Sequence, residues 1–119
     1  MPARLRPAAA ADVAAALAAA PRSEDQTRLL VKHFLAVLDT RAPGRSVEVR
    51  VPPYAAVQAV EGVRHTRGTP PAVVETDAAT WLELATGALS WTDAEAQGRL
   101  RASGERADLT PYLPLTGAT

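Results

Sequence analysis

The hydrophobic residues change their spacing within the first half of the chain, and this change limits the folds open to it. Between Leu30 and Leu38 they recur every three or four residues, which is the period of one helix face. From Val47 to Val51 they alternate with charged residues, as in a strand with one buried face. A long helix followed directly by an alternating strand indicates a mixed fold rather than an all-helical or all-β one.

Local signals place the remaining elements. Residues 7–20 are mostly alanine and predict a helix with little side chain to bury. Ser23 and Gln26 form a capping box that opens the long helix. Asp77 is placed to cap a helix from about Ala78 to Thr86, with Gly87 as its left-handed end, and another short helix follows Ser90. The predicted strands are Ser46–Val51, Tyr54–Glu61, Val63–Thr66, Ala72–Thr76 and Arg99–Ser103.

This order of elements predicts the α+β class. Strands follow one another through short links instead of alternating with helices, which favours an antiparallel sheet with helices on one face. A chain of 119 residues is the size of one domain. We therefore expect residues 1–22 to form an alanine-rich N-terminal helix and residues 23–119 to form a single domain.

Composition excludes several functions. Thirteen basic and thirteen acidic residues leave no net charge, so nucleic acid is not the expected partner. The absence of cysteine excludes disulfides, thiolate metal sites and a cysteine nucleophile. No stretch is apolar enough for a signal-peptide core or a bilayer span, so we expect a cytoplasmic protein without stable membrane insertion.

The second half of the chain resembles the sterol carrier protein (SCP-2-like) family. In that family a helix ends at a glycine, an apolar step leads into a second helix, and a further glycine begins a strand of the form G-x-L-x-x-x-G. These places are held here by Gly87, Leu89, Ala94, Gly98, Leu100 and Gly104. The span from about Val51 to Leu115 is also similar to a group of short actinobacterial proteins of this family, and the arginine- and alanine-rich composition suits that origin.

The resemblance implies a curved, mostly antiparallel sheet of about five strands, backed by helices that leave an apolar space. Residues 23–119 would then be a sterol-carrier-like domain that binds a lipid, fatty acyl or sterol-like molecule. The family's longer C-terminal helix, which helps to close its tunnel, is replaced here by a short tail that contains proline. The resemblance leaves the identity of the ligand open.

The candidate ligand-binding residues are large and apolar. The candidates are Trp81, Leu84, Leu89, Trp91 and Leu100. Our functional hypothesis is that these side chains line a cavity. The alternative is structural, because a buried indole contributes a large apolar area and usually serves the core.

Arg64, His65 and Arg67 form the one concentrated basic cluster, followed by Gly68 and Thr69. Such a loop is suited to an anionic headgroup through charge-assisted hydrogen bonds. The alternative is that these side chains are simply solvated, as arginines at strand ends ordinarily are.

No catalytic or metal-binding pattern is present. The two histidines, His33 and His65, lie far apart and match no zinc motif, and no serine lies in a nucleophile elbow. We therefore expect no cofactor, no metal and no enzymatic activity. Binding of a hydrophobic ligand is the preferred function, and the alternative is an accessory domain with a filled core that contacts a second copy or another protein.

Overall fold

In the computed structural model the chain is described at residues 5–62, 72–104 and 107–116. The helices are α1 (Ala10–Ala18), α2 (Glu24–Arg41), α3 (Ala78–Thr86) and α4 (Trp91–Ala96), and a 3₁₀ turn covers Thr110–Tyr112. The strands are β1 (Val47–Val51), β2 (Ala55–Ala59), β3 (Ala72–Thr76) and β4 (Leu100–Ser103). The α+β class expected from the sequence is confirmed.

The sheet differs in detail from the expected one. Its order is β2-β1-β3-β4, which gives four strands in the described residues instead of about five. The predicted strand Val63–Thr66 lies outside those residues. The sheet is mixed, because β1 pairs antiparallel with β2 but parallel with β3, while β3 and β4 are antiparallel. Alternation identifies a strand with one buried face but does not identify its neighbour, so the parallel pairing could not be read from the pattern.

Helix ends follow the local signals. In the capping box of α2, the Ser23 hydroxyl accepts from the backbone N–H of Gln26. The side-chain oxygen of Gln26 accepts in turn from the backbone N–H of Ser23. The Asp77 carboxylate caps α3 by accepting from the Thr80 amide at 2.7 Å. Gly87 ends α3 with a φ of 85°, a conformation that glycine adopts without steric cost.

The core fills the space between the sheet and the helices. The alternating valines of β1 are fully buried, while α2 packs on β2 and on α3. Its fully buried large side chains include Leu30, Phe34, Leu35, Leu38, Val47, Val49, Val51, Trp81, Leu84 and Leu109. The core therefore draws on α2, the sheet, α3 and the segment that follows β4.

A short clasp joins the end of α2 to the end of β2. The Val60 amide donates to the carbonyl of Ala42 at 2.6 Å, and the amide and hydroxyl of Ser46 both donate to the carbonyl of Val60. Gly44 passes so close that an added Cβ would lie 2.2 Å from this same carbonyl oxygen. These hydrogen bonds hold the C-terminal end of α2 next to the end of β2.

Candidate functional site

An apolar groove lies between α1 and α2, with a volume of about 430 Å³. We call it the α1–α2 groove. Its larger apolar side chains are Val13, Leu17, Phe34, Val37 and Leu115, joined by the alanines at positions 8, 10 and 14. His33 and Thr116 are its polar residues. The groove therefore collects apolar groups from the N-terminal helix, the long helix and the C-terminal tail, residues 113–116.

The groove stays open because α1 is built almost entirely of alanine. Only Ala16 of this helix is buried, and Val13 and Leu17, four residues apart, reach toward α2. An alanine side chain is too short to fill the space between two helix axes that larger residues normally close. The low bulk of α1 thus leaves apolar side chains of α2 partly uncovered.

One hydrogen bond ties the start of this segment to α2. The Ala8 amide donates to Nδ1 of His33 at 2.9 Å. The His33 ring also contacts Phe34 edge to face, with ring centroids 4.9 Å apart. Partial burial lowers the pKa of His33 below its usual 6.5, because desolvation penalises the charged ring. The neutral ring is therefore the form that accepts the amide.

The far end of α1 is closed by Arg22. Its Nε donates to the carbonyl of Ala16 at 2.9 Å, and its Nη2 donates to the carbonyl of Leu17 at 3.3 Å. These bonds satisfy carbonyls at the C-terminus of the helix, where a positive charge is favourable. The C-terminus of α1 is therefore held by hydrogen bonds and not by the burial of further side chains.

The C-terminal tail is held by backbone contacts on two sides. Arg41 donates to the carbonyls of Tyr112, Pro114 and Leu115 at 2.9 to 3.3 Å. The amides of Leu115 and Thr116 both donate to the carbonyl of Ala85. These bonds seat Leu115 in the wall of the α1–α2 groove.

A second, smaller opening lies between α3 and α4, with a volume of about 240 Å³. We call it the α3–α4 pocket. It brings together three of the residues expected to bind ligand, Leu84, Leu89 and Trp91. Leu113 and Pro114 also line it, so consecutive residues of the tail border both openings.

The other two candidate ligand-binding residues lie elsewhere. Trp81 is fully buried, and its indole N–H donates to the carbonyl of Val31 at 3.3 Å, which satisfies the polar atom that a core indole carries. It borders neither the groove nor the pocket. Leu100 lines a third opening, of about 300 Å³, beside charged residues of β3 and β4. The five residues therefore do not share one cavity.

The charged groups near this third opening serve the fold. Glu83 forms an ion pair with Arg99, whose Nε also donates to the hydroxyl of Thr80 at 3.2 Å. The hydrogen bond from Arg99 to Glu83 raises the pKa of this arginine. The hydroxyl of Thr76 donates to the carbonyl of Arg99 at 2.9 Å. These contacts join α3 to the start of β4.

The predicted headgroup residues Arg64, His65 and Arg67 lie outside the described residues, so their role stays a prediction. Among residues 5–62, 72–104 and 107–116, no group of three or more histidine and acidic side chains is placed to hold a metal ion. Within the same ranges, no helix combines the length and apolar character needed to cross a membrane.

The groove residues were not singled out from the sequence. Val37 and Leu115 belong to distant segments, and only folding brings them to the same opening. The one local signal for this site was the pair Val13 and Leu17, which lie four residues apart on a helix made mostly of alanine.

Comparison with known proteins gives a family match. A model described as "Bacterial SCP ortholog" matches residues 23–115. A search of curated proteins gives no match. Among solved structures, the chain is similar to the crystal structure of Sterol Carrier Protein 2 Like 2 from Aedes aegypti, with 15% identity and a TM-score of 0.33. That alignment covers 82% of this chain and 89% of the mosquito chain.

Proposed function

Because the chain belongs to the family of bacterial SCP orthologs, we propose that it binds a lipid or another hydrophobic small molecule in the α1–α2 groove, without catalysis. The observation that carries this proposal is the lining of the groove. Five apolar side chains from three segments border one space of about 430 Å³. Small-molecule sites typically span roughly 300 to 1,000 Å³.

The energetics favour an apolar occupant. The groove is lined mostly by carbon atoms, and covering them with a hydrocarbon chain gains roughly 25 cal/mol for each square ångström of apolar surface removed from water. Filling the core instead would require displacing side chains such as Trp81 and Leu84, which already pack there. The groove accepts a ligand without that cost.

The α3–α4 pocket is proposed as an extension of the same site. Leu113 and Pro114 border the pocket, while Leu115 and Thr116 border the groove. A ligand that moves this tail would reach Leu84, Leu89 and Trp91. In this proposal residues 1–22 supply one wall of the site, and residues 23–119 form the domain that holds the ligand.

Two variants with the same substitution on the same helix test the site. Ala14 and Ala15 are both exposed on α1, but only Ala14 borders the groove. We expect wild type and A15R to bind Nile red, an uncharged apolar dye, with a saturable blue shift of its emission. A14R should bind the dye about tenfold or more weakly, because the guanidinium occupies the groove and brings a charge into it. Equal binding by the two variants, or none by the wild type, would contradict the proposal.

A second candidate function is an accessory domain that contacts another protein. The filled core around Trp81 favours it, as do the two outer strands: in the described residues β2 and β4 each pair on one side only. It predicts that no lipid or dye binds and that the purified protein self-associates or co-purifies with a defined partner. Nile red binding that A14R abolishes would exclude this reading.

A further inference from the structure

None of the described residues that line the α1–α2 groove is charged. The basic residues of α2 closest to it in the sequence are Lys32 and Arg41, and neither borders the groove. The guanidinium of Arg41 already donates to three carbonyls. Among the lining residues that the structure describes, an anionic headgroup placed in the groove would therefore contact no cationic side chain.

His33 supplies one directional polar group. Its Nδ1 accepts from the Ala8 amide, so the neutral ring carries its proton on Nε2. No hydrogen bond from Nε2 occurs among the described residues, and no fully buried side-chain nitrogen or oxygen there lacks a partner, so Nε2 is not fully buried. The groove thus combines an apolar wall with the Nε2–H donor of His33, and the hydrogen bond from the Ala8 amide sets the tautomer of this ring.

We propose that the groove selects an uncharged lipid that carries a hydrogen-bond acceptor, such as a long-chain alcohol, ketone or ester, over a fatty-acid anion, and that Nε2–H of His33 binds this acceptor. The inference rests on the proposed function, since it names the ligand class of that same groove. A carboxylate would lose part of its hydration without an opposite charge to compensate, whereas a hydroxyl or carbonyl exchanges one water for one N–H donor.

A matched pair of ligands isolates this preference. 1-Hexadecanol and palmitate have the same chain length and differ at the polar end. Both are delivered from methyl-β-cyclodextrin at pH about 7.5, where palmitate is ionised and His33 neutral, and compete with Nile red bound to the full chain. We expect hexadecanol to displace the dye at a concentration at least about tenfold lower than palmitate.

The variant His33→Asn tests the donor. The asparagine carbonyl takes the place of Nδ1 as acceptor for the Ala8 amide, but the shorter side chain has no N–H at the position of Nε2. We expect hexadecanol to bind about three- to tenfold more weakly to H33N, with no change for palmitate. The ratio of the two affinities measures the donor even where the variant lowers overall binding.

The outcomes separate the two proposals. If palmitate binds as tightly as hexadecanol or more tightly, the ligand class is wrong while the groove remains a lipid site. If H33N weakens both ligands equally, or neither, His33 does not bind the acceptor. If neither ligand displaces the dye and the dye itself does not bind, the proposed function fails and the inference fails with it.

Discussion

The two sides of α2 meet very different surroundings. On one side Leu30, Leu35 and Leu38 are fully buried against the sheet and its covering helices. On the other side His33 and Val37 are only partly buried, beneath an alanine helix that buries one residue of its own. The same helix therefore borders a filled core and an open apolar groove.

This contrast indicates where a ligand fits. A close-packed core leaves few voids, and opening one costs the contacts of every side chain that moves. The space under α1 exists already, because alanine supplies helix propensity without bulk. Under the proposed function, the domain keeps its core intact and holds the ligand at its edge.

The largest expected effect is a difference in stability between the two regions when the same substitution, leucine to alanine, is made in each. Leu35→Ala removes a fully buried side chain and should lower the free energy of unfolding by about 2 to 5 kcal/mol. Leu17→Ala removes a partly exposed side chain beside the groove and should cost about 1 kcal/mol or less. Urea unfolding followed by tryptophan fluorescence measures both values. Similar losses in the two variants would break the contrast.

An intermediate effect is expected where the tail joins the regions. Arg41→Ala removes three hydrogen bonds to tail carbonyls and should destabilise the protein by about 1 to 2 kcal/mol. Hydrogen exchange at the amides of Leu115 and Thr116 should accelerate, because their hydrogen bonds to the carbonyl of Ala85 then lose the support of Arg41. Arg45→Ala is the control, since Arg45 is exposed and close in sequence. Unchanged exchange in R41A would show that the arginine does not seat the tail.

The smallest effect is a dependence of stability on pH. Burial lowers the pKa of His33 in the folded protein, so the unfolded chain takes up a proton first as the pH falls through 6.5. The contribution of the neutral ring is therefore complete above pH 6.5 and declines below it, until the folded form is protonated as well. The protonated ring also loses its acceptor for the Ala8 amide.

The variant H33N gives the reference for this dependence, because asparagine does not titrate. Urea midpoints of both proteins, measured in steps from neutral to mildly acidic pH, should diverge as the pH falls, with the wild type losing more stability. Parallel curves for the two proteins would contradict the role of His33 at the groove.

Much of the fold was accessible from the sequence because its signals are local. Helix α3 begins and ends where predicted, since Asp77 and Gly87 act within one turn of the helix ends. The strand alternation at Val47 to Val51 identified the buried face of β1. The parallel pairing of β1 with β3 carries no such local signal, because it depends on which segment reaches the open side of β1.

The site was less accessible for the same reason. Leu84, Leu89 and Trp91 border one pocket because they lie within one short stretch of chain. Trp81 lies one turn before Leu84 on the same helix, but it is fully buried and borders neither opening. The groove combines residues 8–17, 33–37 and 115–116, and no periodicity links segments so far apart.

The most direct test of the account is native mass spectrometry of the protein as purified, followed by organic extraction and identification of the lipid. We predict one uncharged lipid per chain in the wild type and in A15R, and a bare chain in A14R. An anionic lipid in the wild type would contradict the ligand class. The same lipid retained in both variants, or a bare wild type that binds no added lipid, would contradict the groove as the binding site.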